Sequence, residues 1–192
     1  DVRERVLEAM NALGYQPNRA ARQLRANQSD LLGLIIPDIQ NALFLSLVRA
    51  VEDLAYAHKM NVILCNTDDN PAKQKSYLQI MQAQQAAGLL VVPTEPKDAA
   101  MLAPVRDSGI PIVLIDREIP LEADFVLVDN ARGAYLAITH LLNLNHQRIA
   151  ILAGPQALTP GRERLRGYSE ALAERGISVE NDLVMLGNFK VE

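Results

Sequence analysis

Apolar positions along this chain repeat with two different periods. From Val2 to Leu13 they fall at Val2, Val6, Met10 and Leu13, a spacing of three or four that marks one face of a helix. Asp1 is placed to cap that helix and Gly14 to end it. Pro17-Asn18 opens a second, short helix with Asn18 as N-cap and Ala20, Ala21 and Leu24 as a small apolar face, fading near Asn27-Gln28-Ser29. It is shorter than the roughly 12–15 residues an isolated helix needs in water, so it is expected to form only against a partner. Arg19, Arg22 and Arg25 lie on another of its faces.

From Leu31 the pattern changes to short, nearly continuous apolar runs rich in β-branched residues: Leu31–Pro37, Val62–Cys65, Gly88–Val92, Ile112–Ile115, Phe125–Val128, Ile149–Ala153 and Leu183–Leu186. Amphipathic stretches separate them, at Leu43–His58, Pro71–Ala86, Asp98–Ser108, Ala131–Leu144 and Arg162–Arg175. Apolar strands joined by helices predict a doubly wound α/β fold with a parallel sheet covered on both faces. The first five strands form one open sheet between Leu31 and about Asn130, and a new β-α-β unit begins after Leu144-Asn145-His146. The first helix has nothing before it to cover its stripe, and the last sheet lacks cover too. The chain is therefore expected to be a segment of a longer protein.

Composition narrows the function classes. No apolar run approaches the roughly 18 residues of a membrane helix, and Asp1-Val2-Arg3-Glu4-Arg5 does not read as a signal peptide, so a cytoplasmic location is expected. One cysteine, Cys65, and three scattered histidines, His58, His140 and His146, offer neither an internal disulfide nor a metal-ligand spacing. No metal, cofactor or membrane partner is expected. The net charge of −4 conceals a segment, residues 14–29, that carries Arg19, Arg22 and Arg25 and no acid. That segment suits phosphates, with Leu24 as a minor-groove wedge, or is a solvated linker.

Catalysis is not expected, because no Gly-x-Ser-x-Gly elbow, phosphate-binding loop or dinucleotide fingerprint occurs. In open α/β sheets ligands bind beyond the carboxyl ends of the strands. Asp38, Asn66, Thr67, Asp68, Thr94, Asp116, Arg117, Asp129 and Asn130 occupy such ends, and Arg162, Arg164 and Arg166 follow the sixth strand. Carboxylates and guanidinium groups converging on a cleft hold polyols by hydrogen bonds, with Phe44 packing on an apolar face. Each also has a structural reading: Asp69 or Asn70 as a cap before Pro71, and Asp38 as a strand terminator.

The string Leu13-Gly14-Tyr15-Gln16-Pro17-Asn18-Arg19-Ala20-Ala21-Arg22-Gln23-Leu24 resembles the end of the DNA-binding head and the hinge helix of the lac repressor (LacI/GalR) family. The likeness continues through Leu32–Asp38, Leu64–Asp68, Gly109–Arg117, Val128–Asn130 and Ile149–Pro155. It implies a periplasmic-binding-protein-like fold divided as residues 1–17 (last helix of the DNA-binding head), 18–29 (hinge helix and linker), 30–130 (first effector-binding subdomain) and 131–192 (part of the second). It also implies a homodimeric repressor whose affinity for operator DNA is set by a small effector, commonly a sugar or nucleobase, with a sugar expected here. By position in the family, Tyr15, Asn18, Arg19, Ala21, Arg22, Leu24 and Arg25 face DNA, and Leu43, Phe44, Asp129, Pro160 and Arg164 contact the effector. Asn41-Ala42-Leu43-Phe44 stands where many relatives have Asn-Pro-Phe-Phe, which removes aromatic stacking at Leu43. A sugar-binding protein of a transporter is the rival reading, and it has no use for a basic hinge.

Overall fold

The structure, a computed structural model, describes residues 1–13 and 29–190. The expected DNA-facing residues Tyr15, Asn18, Arg19, Ala21, Arg22, Leu24 and Arg25 lie outside the described residues. The chain divides into two units, Asp1–Asp30 and Leu31–Glu192. In the first, α1 runs Val2–Ala12, and the Asp1 carboxylate accepts from the Arg3 amide at 3.3 Å, as a cap residue does.

In the second unit, β1 (Leu31–Ile36), β2 (Asn61–Asn66), β3 (Gly88–Val91), β4 (Ile112–Ile115) and β5 (Asp124–Val126) form a five-stranded sheet in the order β2-β1-β3-β4-β5. All its pairings are parallel. Strand side chains alternate between faces, so β1 feeds two cores at once. Ile35 joins Leu78, Met81, Leu89, Leu102 and Leu114 under α3 (Pro71–Ala83) and α4 (Ala99–Asp107). Leu34 and Ile36 turn the other way to meet Phe44 and Val92 beside α2 (Ala42–Ala57). Gly33 allows the tight fit under α3, since a Cβ there would fall 2.6 Å from Leu89 Cδ2 and 2.9 Å from the Met81 sulfur.

A second, two-stranded parallel sheet pairs β6 (Ile151–Ala153) with β7 (Val184–Leu186). It packs with α5 (Asn130–Asn143) and α6 (Thr159–Ala173) around Ile138, Leu142, Ile149, Tyr168 and Leu172. Tyr168 is fully buried, and its hydroxyl donates to the Ile149 carbonyl at 2.8 Å. The two helices touch backbone to backbone at Gly167, where a Cβ would sit 2.0 Å from the Ala131 oxygen.

Element limits differ from the sequence reading in ways with local causes. α6 begins at Thr159 rather than Arg162, because Pro160 in a first turn lacks only an N–H that has no helical partner there. The stretch read as a helix from Asp98 starts as a 3-10 turn, Pro96–Asp98, before α4. Asp98 is fully buried, and its Oδ2 accepts from Gln74 Nε2 at 2.7 Å and from the Thr94 amide at 2.6 Å. β5 closes at Val126 rather than Val128, and Phe125, Val126 and Val128 are exposed.

Candidate functional site

The carboxyl ends of β1, β2 and β4 open toward the first turn of α6 and the residues after β7. A cavity of about 60 Å³ there is lined by Pro37, Asp38, Asn41, Leu43, Phe44, Asp69, Asp116, Arg117, Pro160, Arg164, Phe189 and Lys190. Four of the five expected effector residues, Leu43, Phe44, Pro160 and Arg164, therefore share one wall system. They arrive on two helices, since Asn41 caps α2 by accepting from the Leu43 amide at 3.0 Å and Pro160 lies in the first turn of α6. Phe44 is nevertheless 4% exposed and packs in the β1 core, so only its rim reaches the cavity and most of its surface is structural.

Asp129 is the exception. Its carboxylate caps α5 by accepting from the Arg132 amide at 2.9 Å, and it lines a different cavity, of about 290 Å³, with Asn130 and Arg164. The cap is a sufficient local reason for an Asp at that position. Arg164 stands between the two cavities. Its Nε donates to Asn130 Oδ1 at 2.8 Å, which fixes the guanidinium plane.

The strand-end polar residues sort by what already holds them. Thr67 is buried with its hydroxyl on the Ile36 carbonyl, and Thr94 is tied to Asp98. Arg166 pairs with Glu163 and Glu170 along α6, and Arg162 lies near Glu163. Asn66 accepts from the Ile39 amide at 2.9 Å and donates to Asp68. Asp68 also pairs with Lys73, and that exposed contact holds its carboxyl below the usual carboxylate range.

Asp116 and Arg117, by contrast, stand inside the cavity wall. Arg117 Nη1 donates to Asp69 Oδ1 at 2.6 Å and to the Pro93 carbonyl at 2.9 Å. Asn70 caps α3, accepting from the Ala72 and Lys73 amides, which leaves Asp69 for Arg117. Only Asn70 of the two cap candidates is the cap.

Asp116 holds a left-handed backbone, φ 64°, and burial raises its carboxyl above the ordinary value even though Arg117 and Arg164 pull the other way. The folded state therefore binds its proton more tightly than the unfolded state, and its contribution to stability falls as pH rises through the carboxylate range. Asp116→Asn keeps a residue that tolerates this backbone. The variant is expected to unfold at a higher urea concentration than the parent at pH 7, with the difference closing below about pH 4. A variant less stable than the parent at pH 7 refutes the burial penalty.

Phe189 and Lys190 line the cavity without having been singled out in the sequence, and Asp69, weighed there only as a cap, is instead the partner of Arg117. Phe189 stacks beside Arg164, the guanidinium carbon 5.4 Å from the ring centre. Phe189 and Lys190 follow the last strand in no regular element. The one available signal was their place at its carboxyl end. Among the described residues, no three His, Cys, Asp or Glu side chains group as a metal site, and no helix is long and apolar enough to cross a membrane.

Residues 29–191 match the family described as periplasmic binding proteins and sugar binding domain of LacI family. The chain is 33% identical over 192 residues to the HTH-type transcriptional repressor PurR of Photobacterium profundum, covering 98% of this chain and 57% of that protein. It is 34% identical over 195 residues to the ribose operon repressor of Halalkalibacterium halodurans, covering 100% of this chain and 56% of that protein. Among solved structures it resembles the transcription regulator CcpA of Lactococcus lactis, with a TM-score of 0.76 and 28% identity over 85% of this chain and 60% of that one. The chain thus spans a little over half the length of the curated relatives it matches.

Proposed function

Because this chain belongs to the LacI family, we propose that it is the sensing part of a transcription regulator, a repressor whose operator affinity is set by a small effector, a sugar, held in the cleft between its two sheets. The observation that carries this reading is the convergence of both sheets on one cleft. Leu43 and Phe44 come from α2 beside the first sheet, and Pro160 and Arg164 from α6 beside the second. A molecule that grips both walls stabilises one relative orientation of the two halves, and ligand and orientation are then thermodynamically linked. Arg164 is the chief polar contact, with Asp129 at its flank.

In the regulator that carries this chain, the hinge formed by residues 18–29 transmits that orientation to DNA. Arg19, Arg22 and Arg25 lie against phosphates, Leu24 is the minor-groove wedge, and Tyr15, Asn18 and Ala21 complete the contact. The regulator acts as a cytoplasmic homodimer, with the exposed Leu45, Leu54 and Tyr56 of α2 available for pairing. Transporter service is not favoured, since the named relatives are transcription regulators.

A thermal-shift screen with D-ribose, cellobiose, a hexose phosphate and hypoxanthine tests the sensor. One ligand is expected to raise the melting temperature, because binding to the folded state alone stabilises it by RT ln(1 + [L]/Kd). No shift with any sugar or sugar phosphate overturns the effector reading. For the hinge, replacing Arg19, Arg22 and Arg25 together by alanine is expected to flatten the salt dependence of DNA binding by up to about 0.9 in log–log slope per lost phosphate contact. An unchanged slope assigns the arginines to a solvated linker.

A further inference from the structure

α3 and α4 pack side by side over one face of the first sheet, and a groove of about 410 Å³ runs between them. It shares no lining residue with the cleft cavity. Each helix links parallel strands of that sheet, so the two run in the same direction and bring their N-terminal ends together. The groove therefore has an axis. At its N-terminal end stand Lys75, in the second turn of α3, and Lys97, in the 3-10 turn that leads into α4. Leu78, Met101 and Val105 form an apolar floor beyond them, and Pro104 stands at the far end.

Neither lysine is neutralised. Both are exposed, and among the described residues neither forms an ion pair. Asp98, next to Lys97 in sequence, is fully buried and turned inward, where its Oδ2 accepts from Gln74 and Thr94. No Asp or Glu lines the groove, although acids outnumber bases in the chain by 23 to 19. Lys73, on the same helix but outside the groove, is already held by Asp68. Two free cations at one end of an apolar floor complement an anion that carries an apolar body. The wall from Lys75 to Gln82 is about 10 Å long at 1.5 Å of rise per residue, and the volume falls in the range of about 300–1,000 Å³ typical of small-molecule sites. Met101, unbranched and 3.5 Å from Gln74 Nε2 through its sulfur, is a side chain that adapts to such a body.

We propose that the groove between α3 and α4 is a second ligand site, separate from the cleft, that takes a small amphipathic carboxylate. Lys75 and Lys97 hold its head, and Leu78, Met101 and Val105 receive its short apolar chain. The site stands independently of the effector reading of the cleft.

Octanoate is the probe, with 1-octanol as the body without the charge and acetate as the charge without the body. Isothermal titration is expected to give one octanoate site with a Kd of about 1 mM or tighter, an affinity that neither control approaches. Lys75→Ala and Lys97→Ala are each expected to weaken octanoate by up to about fivefold, the range of an exposed ion pair. Lys73→Ala is expected to leave it unchanged. Gln79→Glu is the decisive variant, because it keeps both lysines and supplies the missing acid one turn from Lys75, a pair that supports an exposed helix. It is expected to weaken octanoate at least as much as Lys75→Ala while the melting temperature holds. Octanol bound as tightly as octanoate, an affinity unmoved by Gln79→Glu and by both groove-lysine variants, or an equal loss in Lys73→Ala overturns the site. So does a titration that shows no saturation by about 10 mM octanoate. In that case binding of the acidic peptide acetyl-Glu-Leu-Glu-Glu-Leu-Leu-Glu-amide gives the groove to a protein partner, and self-association that Gln79→Glu abolishes gives it to a second copy of the chain.

Discussion

Asp69→Ala is expected to lower the stability of this chain by about 3 kcal/mol, a drop of roughly 6–12 °C in melting temperature for a chain of this size. The reason is the asymmetry of the pair. The Arg117 side chain is 4% exposed and that of Asp69 25%. Removing Asp69 strands a guanidinium that water barely reaches, whose remaining tie is the Pro93 carbonyl and whose Nε has no partner. Removing Arg117 strands only a carboxylate that is partly hydrated. Arg117→Met is therefore expected to cost less than Asp69→Ala, and the double variant Asp69→Ala/Arg117→Met less than Asp69→Ala alone, since an apolar replacement for a buried pair is often neutral. Urea denaturation of the four chains decides it. A double variant weaker than Asp69→Ala by the full cost of Arg117→Met means that the two side chains act independently.

That pair also marks the limit of what the sequence discloses. The sheet was legible because each strand is an apolar run of its own and each helix carries a stripe, signals that need no distant partner. Strand ends were legible as a class, which is why Asp116, Arg117, Asp38 and Arg164 were among the candidates and do line one cavity. What each end residue does was not legible, because it depends on which neighbour captures it first. Asn70 takes the α3 cap and releases Asp69 to Arg117; Glu163 and Glu170 capture Arg166. Asp129 looks alike in sequence whether it caps α5 or meets a ligand, and the cap is what the structure forms. Phe189 escaped because its position rests on Gly154, 35 residues away in sequence, through a contact with no periodicity to announce it.

Arg164→Ala is expected to weaken effector binding by about 10- to 100-fold, the range that follows from losing one hydrogen bond made by a charged group. Arg164 is a cleft cation whose orientation is set independently of any ligand, since Asn130 Oδ1 holds its Nε; Arg117, the other arginine of the cavity, already donates its Nη1 to Asp69 and the Pro93 carbonyl. That leaves the terminal nitrogens of a planar fork for a bound polyol. A lysine carries the charge without the fork or the Asn130 tie, so Arg164→Lys is expected to recover little of the loss. Asn130→Ala, which leaves the guanidinium in place but unheld, is expected to fall between the parent and Arg164→Ala. Isothermal titration of the parent and these three variants, with melting temperatures measured alongside, separates binding from folding. Full affinity in Arg164→Ala removes this arginine from the effector site. Equal losses in Arg164→Ala and Asn130→Ala mean that the guanidinium works only in the plane Asn130 gives it, which makes Asn130 a positioning residue for the cleft.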